Sequence, residues 1–143
     1  MAGIERLRFT DKILAYDIGG VAGQAYRLYQ AAFDRTPDQP GLSFWVRVLD
    51  AKALNLEQVA GEFLRSAEFN SLYGNASTNA DLVGLLYRNV LNREADVGGR
   101  DYWIGQLNNG MTREQLLINF SESAENQLNV VGVIREGITL DLG

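Results

Sequence analysis

The feature that most constrains this chain is a phrase written twice. Residues 34–45 read DRTPDQPGLSFW and residues 92–103 read NREADVGGRDYW, so Arg, Asp, Gly and Trp recur in the same order and at the same spacing. An offset of 58 residues lays Trp45 on Trp103, and with it Leu28 on Leu86, Tyr29 on Tyr87, Arg35 on Arg93, Asp38 on Asp96, Gly41 on Gly99 and Leu49 on Leu107. One residue is then lost from the second copy. At an offset of 57, Glu57 meets Glu114, Gln58 meets Gln115, Phe63 meets Phe120, and Ser66-Ala67-Glu68 meets Ser123-Ala124-Glu125. Matching this long and this ordered marks two copies of one structural unit.

Each copy parses into helices. Ala22, Tyr26, Tyr29 and Phe33 recur at spacings of three or four, and Leu82, Leu85, Leu86, Val90 and Leu91 do the same, the stripe of an amphipathic helix. The polar side of the first of these helices then carries Tyr26, Arg27 and Gln30, as a binding surface or simply as a solvated face. The repeated phrase follows, with Asp38 or Asp96 just ahead of a second stripe: Leu42, Trp45, Val46 and Leu49, or Tyr102, Trp103 and Leu107. Asp is a strong N-cap, because its carboxylate accepts from otherwise unpaired amides at the positive end of the helix dipole. Pro40 falls in the first turn, where a missing N–H costs little. A third helix opens at Asn55 or Thr112, each three residues before a Gln, the spacing of a capping box. Ser66-Ala-Glu and Ser123-Ala-Glu open a fourth helix or a turn, and Tyr73 to Asn79 is the polar joint between copies. At the ends, Ile4 to Ile18 alternates on both sides of Thr10 to Lys12 and reads as a short hairpin, while GITLDLG is a small strand or a disordered tail.

The fold expected is therefore mostly α: two repeated multi-helix units packed into one domain, with a small N-terminal β-hairpin. Residues 1–19 are the hairpin and linker, 20–74 the first unit, and 75–143 the second unit with its tail. Hydrophobic residues make up 46% of the chain, enough to fill such a core. No apolar run approaches the roughly 20 residues of a membrane-spanning helix, so no membrane span is expected, and MAGIERLRF lacks the apolar stretch of a secretory leader. A net charge of −5, with no basic run, argues against nucleic acid. With no Cys and no His, thiol chemistry, the commonest general base and the usual transition-metal ligands are missing.

Three kinds of site remain. Trp45 and Trp103 can stack on a sugar ring, with Arg35, Asp38, Arg93 and Asp96 as polar partners; the competing reading makes Asp a cap, Gly a close approach, Trp an apolar anchor and Arg a tie to Glu68 or Glu125. Calcium is the one cofactor considered, as an isolated ion near Asp11, Asp17 or Asp34. DRTPDQPG breaks the EF-hand alternation at Thr36 and Gln39, and the Asp17 to Gly23 stretch lacks the internal Asp of a β-roll turn and is no GxGxxG phosphate loop. Catalysis would have to rest on a carboxylate pair drawn from Glu57, Glu62, Glu68, Glu114, Glu122 and Glu125, which sit on polar helix faces, so a non-enzyme is expected.

The stretches AGQAYRLYQAAFDRTPDQPGLSFW, VAGEFLRSAEF, LYRNVLNREADVGGRDYWIGQL and FSESAEN resemble the DUF4214 domain, a family of unknown function, over roughly residues 20 to 128. The upstream IERLRFTDKILAYDI is similar to the segment that joins a calcium-binding, hemolysin-type (RTX) β-roll to that domain. The resemblance implies a module of a larger exported bacterial polypeptide, hemolysin-like, adhesin or surface-layer, secreted or at the cell surface by a type I route. It also implies a non-catalytic role in attachment to a partner protein or an extracellular polysaccharide, with self-association a further option. The glycine-and-aspartate nonapeptides of the β-roll are missing here. DUF4214 units also resemble the helical linker domain of phycobilisomes, which implies an assembly scaffold or a structural cap; the acidic balance here differs from those linkers, which tend to be basic.

Overall fold

The computed structural model describes residues 5–74 and 78–142; Ile4 of the expected hairpin segment and residues 75–77 of the expected joint lie outside them. Two short strands, β1 (Arg6–Arg8) and β2 (Ile13–Ala15), form the N-terminal hairpin, closed by the Phe9 amide donating to the Lys12 carbonyl at 2.8 Å. The first unit then runs α1 (Val21–Phe33), α2 (Gln39–Asp50), α3 (Leu56–Leu64) and α4 (Ala67–Tyr73). The second repeats the order as α5 (Asn79–Leu91), α6 (Val97–Asn108), α7 (Arg113–Ser121) and α8 (Ala124–Ile134). The mostly helical fold, with its small antiparallel hairpin, is the one the periodicity predicts. The tail resolves in favour of a strand: β3 (Ile138–Leu140) pairs antiparallel with β2, so the hairpin becomes a three-stranded sheet in the order β1-β2-β3.

The boundaries repeat because their chemistry repeats. Both long first helices end on a left-handed residue, Asp34 (φ 50°) and Asn92 (φ 57°), the non-glycine types that best tolerate that conformation. Asp38 and Asp96 then cap α2 and α6 by accepting from the Gly41 and Gly99 amides. Asn55 and Thr112 form complete capping boxes with Gln58 and Gln115, and Ser66 and Ser123 cap α4 and α8. Each cap satisfies amides that the helix itself leaves unpaired, a contribution of about 1 kcal/mol apiece.

Two apolar clusters hold the helices. The larger joins both units, with Leu28, Phe33, Val59 and Phe63 against Leu82, Leu86, Leu116 and Phe120. Within it α3 lies against its own counterpart α7, so the copies meet through equivalent helices. The smaller cluster belongs to the first unit and the chain ends: Ala22, Tyr26, Leu42 and Val46 under Ala15, Ile138 and Leu140 of the sheet, with Val130 and Ile134 of α8. The backbone amide of Asp141 donates to the buried Ser43 hydroxyl at 2.7 Å and fastens β3 to α2.

Helix α1 sits at the centre, in contact with helices of both units, and this corrects the expected polar face. Tyr26 is buried at 9% exposure, as its place in the apolar stripe predicts, while Arg27 at 4% and the half-buried Gln30 depart from the polar-face reading. The stripe rule finds one buried side; a helix covered on nearly every side shows its second only in the folded chain. Tyr102 is a second correction. It stands 56% exposed on α6 rather than in the stripe with Trp103 and Leu107, as its counterpart Phe44 stands 51% exposed on α2, because a residue next to the Trp in sequence is turned about 100° from the stripe.

Candidate functional site

The repeated phrase folds into the same clasp twice. In the first unit Arg35 leaves the end of α1 and grips Glu68 of α4 through two bonds, Nε to Oε2 at 2.7 Å and Nη2 to Oε1 at 3.1 Å. Nη1 donates to Asp38 at 3.1 Å and Nη2 also to the Tyr29 hydroxyl at 3.1 Å, with the guanidinium over the Tyr29 ring at 5.1 Å. Tyr29 donates to Asp38 in turn, and the other Asp38 oxygen accepts from the Gly41 amide at 2.9 Å. In the second unit Arg93 grips Glu125 at 2.9 and 3.0 Å, lies 5.0 Å over the Tyr87 ring, and reaches Asp96 at 3.5 Å, while Asp96 accepts from Gly99 at 3.0 Å.

The glycine is fixed by the tyrosine. A Cβ on Gly41 would stand 2.8 Å from the Tyr29 hydroxyl oxygen, and one on Gly99 only 2.4 Å from that of Tyr87, so a side chain at either position would have to displace the tyrosine hydroxyl. Trp45 and Trp103, half-buried, close the clasp by packing on Phe63 and Phe120 with ring centres 5.1 and 5.4 Å apart. All six candidate binding residues thus have structural partners. The Tyr29 hydroxyl, bonded to Asp38 and Arg35, and the Tyr87 ring beneath Arg93 are the members that sequence reasoning missed. Their signal was there, as Tyr29 and Tyr87 match as tyrosine where any apolar residue would have served the stripe.

The clasp shifts its own acids. The Tyr29 hydroxyl first, then the Gly41 amide and Arg35, hold the Asp38 carboxyl down at about 2, below its ordinary 3.8. In the second clasp, Arg93 lowers Glu125 and the Gly99 amide lowers Asp96. A carboxyl depressed by folding contributes stability above its unfolded value and loses it as pH falls through the folded one. Asp38 should therefore contribute to an acid limb of stability between 3.8 and about 2. In Asp38→Asn that part of the limb is expected to disappear, measured as urea midpoints from about pH 5 down to about pH 2. An acid limb identical to that of the parent protein would show that Asp38 carries no linkage.

The three candidate metal residues are not brought together. Asp17 is tied bidentately to Arg6 of β1, at 2.7 and 2.8 Å, and one of its oxygens also accepts from the Ala22 amide at 3.0 Å, so it serves as ion-pair partner and cap of α1. Burial pushes its carboxyl up, but Arg6 and Ala22 outweigh that and leave it lowered. Asp34 ends α1, about 20 Å from that helix's start at 1.5 Å per residue, and Asp11 lies in the hairpin turn. No grouping of three or more His, Cys, Asp or Glu fit to hold a metal occurs among the described residues.

Several of the carboxylates considered for catalysis are paired: Glu68 and Glu125 in the clasps, Glu122 with the buried Arg27, and Glu62 with Arg65. Glu57 and Glu114, equivalent in the repeat, both line a 350 Å³ recess at the α3–α7 crossing, beside Gln58, Glu62 and Arg65. A pocket of 150 Å³ beside Arg93 and Trp103 is smaller than the roughly 300–1,000 Å³ usual for ligands. A 440 Å³ groove lies between α5 and α6, lined by Ala80, Gly84 and Leu85 below and by Asp81, Arg88, Glu94 and Arg100 at its rim, and a wider hollow of 670 Å³ lies along the hairpin turn at Arg8, Phe9, Lys12 and Leu14.

The family model described as "Domain of unknown function (DUF4214)" matches residues 24–68 and again 60–130. The chain belongs to the DUF4214 family. The two matches fall on the two clasps, so the clasp with its tyrosine, arginine, aspartate, glycine and tryptophan lies inside each DUF4214 match. No curated protein and no solved structure matches this DUF4214 chain significantly. Among its described residues no helix is long and apolar enough to cross a membrane.

Proposed function

We propose that this DUF4214 domain is a non-catalytic attachment module of a secreted or cell-surface polypeptide, and that it binds an extracellular glycan. The observation that carries this reading is the open groove between α5 and α6, on the face where the second unit has diverged from the first. The repeated polar residues are engaged in clasps, so a ligand is better sought where the copies differ. The exported setting follows the family resemblance, and a chain without cysteine folds without regard to redox compartment. Binding is expected without calcium, since the oxygens of Asp17 are already taken and Asp11 and Asp34 stand apart from it.

A second reading, an assembly scaffold, draws on α8, which presents Leu128, Val131 and Val133 to solvent at 75%, 36% and 65% exposure. A glycan array probed with the intact domain, in calcium and in chelator, tests the first reading. Retention on saccharides in both conditions is the expected result. No retention in either, together with a concentration-dependent rise in mass by light scattering, would replace glycan attachment with assembly.

A further inference from the structure

The groove between α5 and α6 is the second unit's version of a place that the first unit fills. At an offset of 58, Tyr26 corresponds to Gly84, Leu42 to Arg100 and Gln30 to Arg88. In the first unit Tyr26 and Leu42 are buried beneath the β-sheet and α8. In the second unit a ring has become a hydrogen atom and a leucine has become an arginine, and the same place is hollow, at 440 Å³, and rimmed with charge. A Cβ on Gly84 meets only the Arg88 guanidinium, at 3.8 Å, so the space above it is open.

The groove's chemistry is mixed in a definite way. Its floor, Ala80, Gly84 and Leu85, is small and apolar. Arg88 and Arg100 are pure donors, whereas Asp81 and Glu94 are pure acceptors when ionised. Among the described residues Arg88 is held by a 3.4 Å contact to Glu94, with both side chains at least half exposed, an ion pair of the kind worth little and readily exchanged for a ligand. A pyranose ring has the matching pattern: an apolar C–H face to set on the floor, and hydroxyls that both donate to carboxylates and accept from guanidinia. An anionic ligand would face Asp81, Glu94 and a chain of net charge −5.

We propose that the α5–α6 groove binds a pyranose ring of an uncharged polysaccharide, with Arg88, Arg100, Asp81 and Glu94 bonding its hydroxyls over the Gly84 floor. This rests on the attachment reading above and names its site and ligand class. The test uses the intact domain on an array of neutral gluco-, manno- and galacto-oligosaccharides beside polyuronates of equal length. Two variants restore the first unit's residues, Gly84→Tyr and Arg100→Leu. Each is expected to weaken binding of the neutral oligosaccharides by about tenfold or more, Arg100→Leu by the loss of one or two hydrogen bonds and Gly84→Tyr by filling the floor with a ring, with the melting temperature of Gly84→Tyr unchanged or raised because glycine is a poor helix former. Neutral binding that survives both variants would overturn the groove but leave glycan attachment standing. Binding of polyuronates alone would overturn the ligand class, and binding of no saccharide would overturn both the groove and the reading it rests on.

Discussion

Gly23→Ala should be among the most damaging conservative changes in this chain, lowering stability by about 3 kcal/mol or more and the melting temperature by about 10 °C. A Cβ at this position would lie 1.8 Å from the Ile18 carbonyl oxygen and 2.4 Å from its carbon, both backbone atoms with no side-chain freedom to yield. That carbonyl is fixed from another side as well, since it accepts from Arg27 at 2.7 Å, and the Gly23 amide itself donates to the Asp17 carbonyl at 3.1 Å. The link from β2 to α1 therefore has to move as a whole, and the sheet contacts in the smaller cluster with it. The counterpart of Gly23 in the second unit is Asp81. The helix does not require glycine here; the pressure comes from the strand connection, which the second unit lacks. Gly105→Ala on α6 is the control: nothing lies within 4 Å of the new methyl, and replacing an interior helical glycine should stabilise by roughly 0.5–1 kcal/mol. Denaturant midpoints for the two variants that move together would overturn this account.

That contrast shows which part of the fold sequence could and could not deliver. Caps and stripes are local, and Asp38, Asn55, Ser66 and their counterparts mark helix starts because the groups they satisfy lie within three residues. The tie from Arg35 to Glu68 was also within reach, since duplication kept both ends of it through the second copy as Arg93 and Glu125. What periodicity misses is whatever depends on one copy only. The tail strand β3 returns across the whole chain to cover α2, and nothing in GITLDLG specifies that partner. The burial of Tyr26 and Arg27 follows from that cover and from α8, so a face that reads as polar over one helix becomes an interior. The same non-repeated cover sets the groove apart. Sequence comparison singles out Arg88 as differing from Gln30, but only the sheet lying on the first unit shows that the second unit's face stands open.

Arg27 is where the two units and the chain ends are joined by charge, and its loss should be comparably severe. Its side chain is 5% exposed; it donates to Glu122 at 2.5 and 2.8 Å and to the Ile18 carbonyl at 2.7 Å. A buried pair of this kind gains little net energy over an apolar alternative, because desolvating both charges offsets their attraction. Removing one partner is a different matter, since the other is left half-buried and unpaired. Arg27→Ala is accordingly expected to cost about 3–5 kcal/mol, with an unpaired Glu122 and a cavity adding to the lost bonds. The second unit suggests the repair. At the position equivalent to Arg27 it holds Leu85, half-buried and packed against the larger core. Arg27→Leu combined with Glu122→Gln removes both charges at once and should recover most of the stability lost in Arg27→Ala, whereas Arg27→Leu alone should not. A thermodynamic cycle of the two single variants and the double, read by denaturant unfolding, measures the coupling directly. Additive effects would mean that Arg27 holds the fold through packing and the Ile18 carbonyl, with no contribution from Glu122.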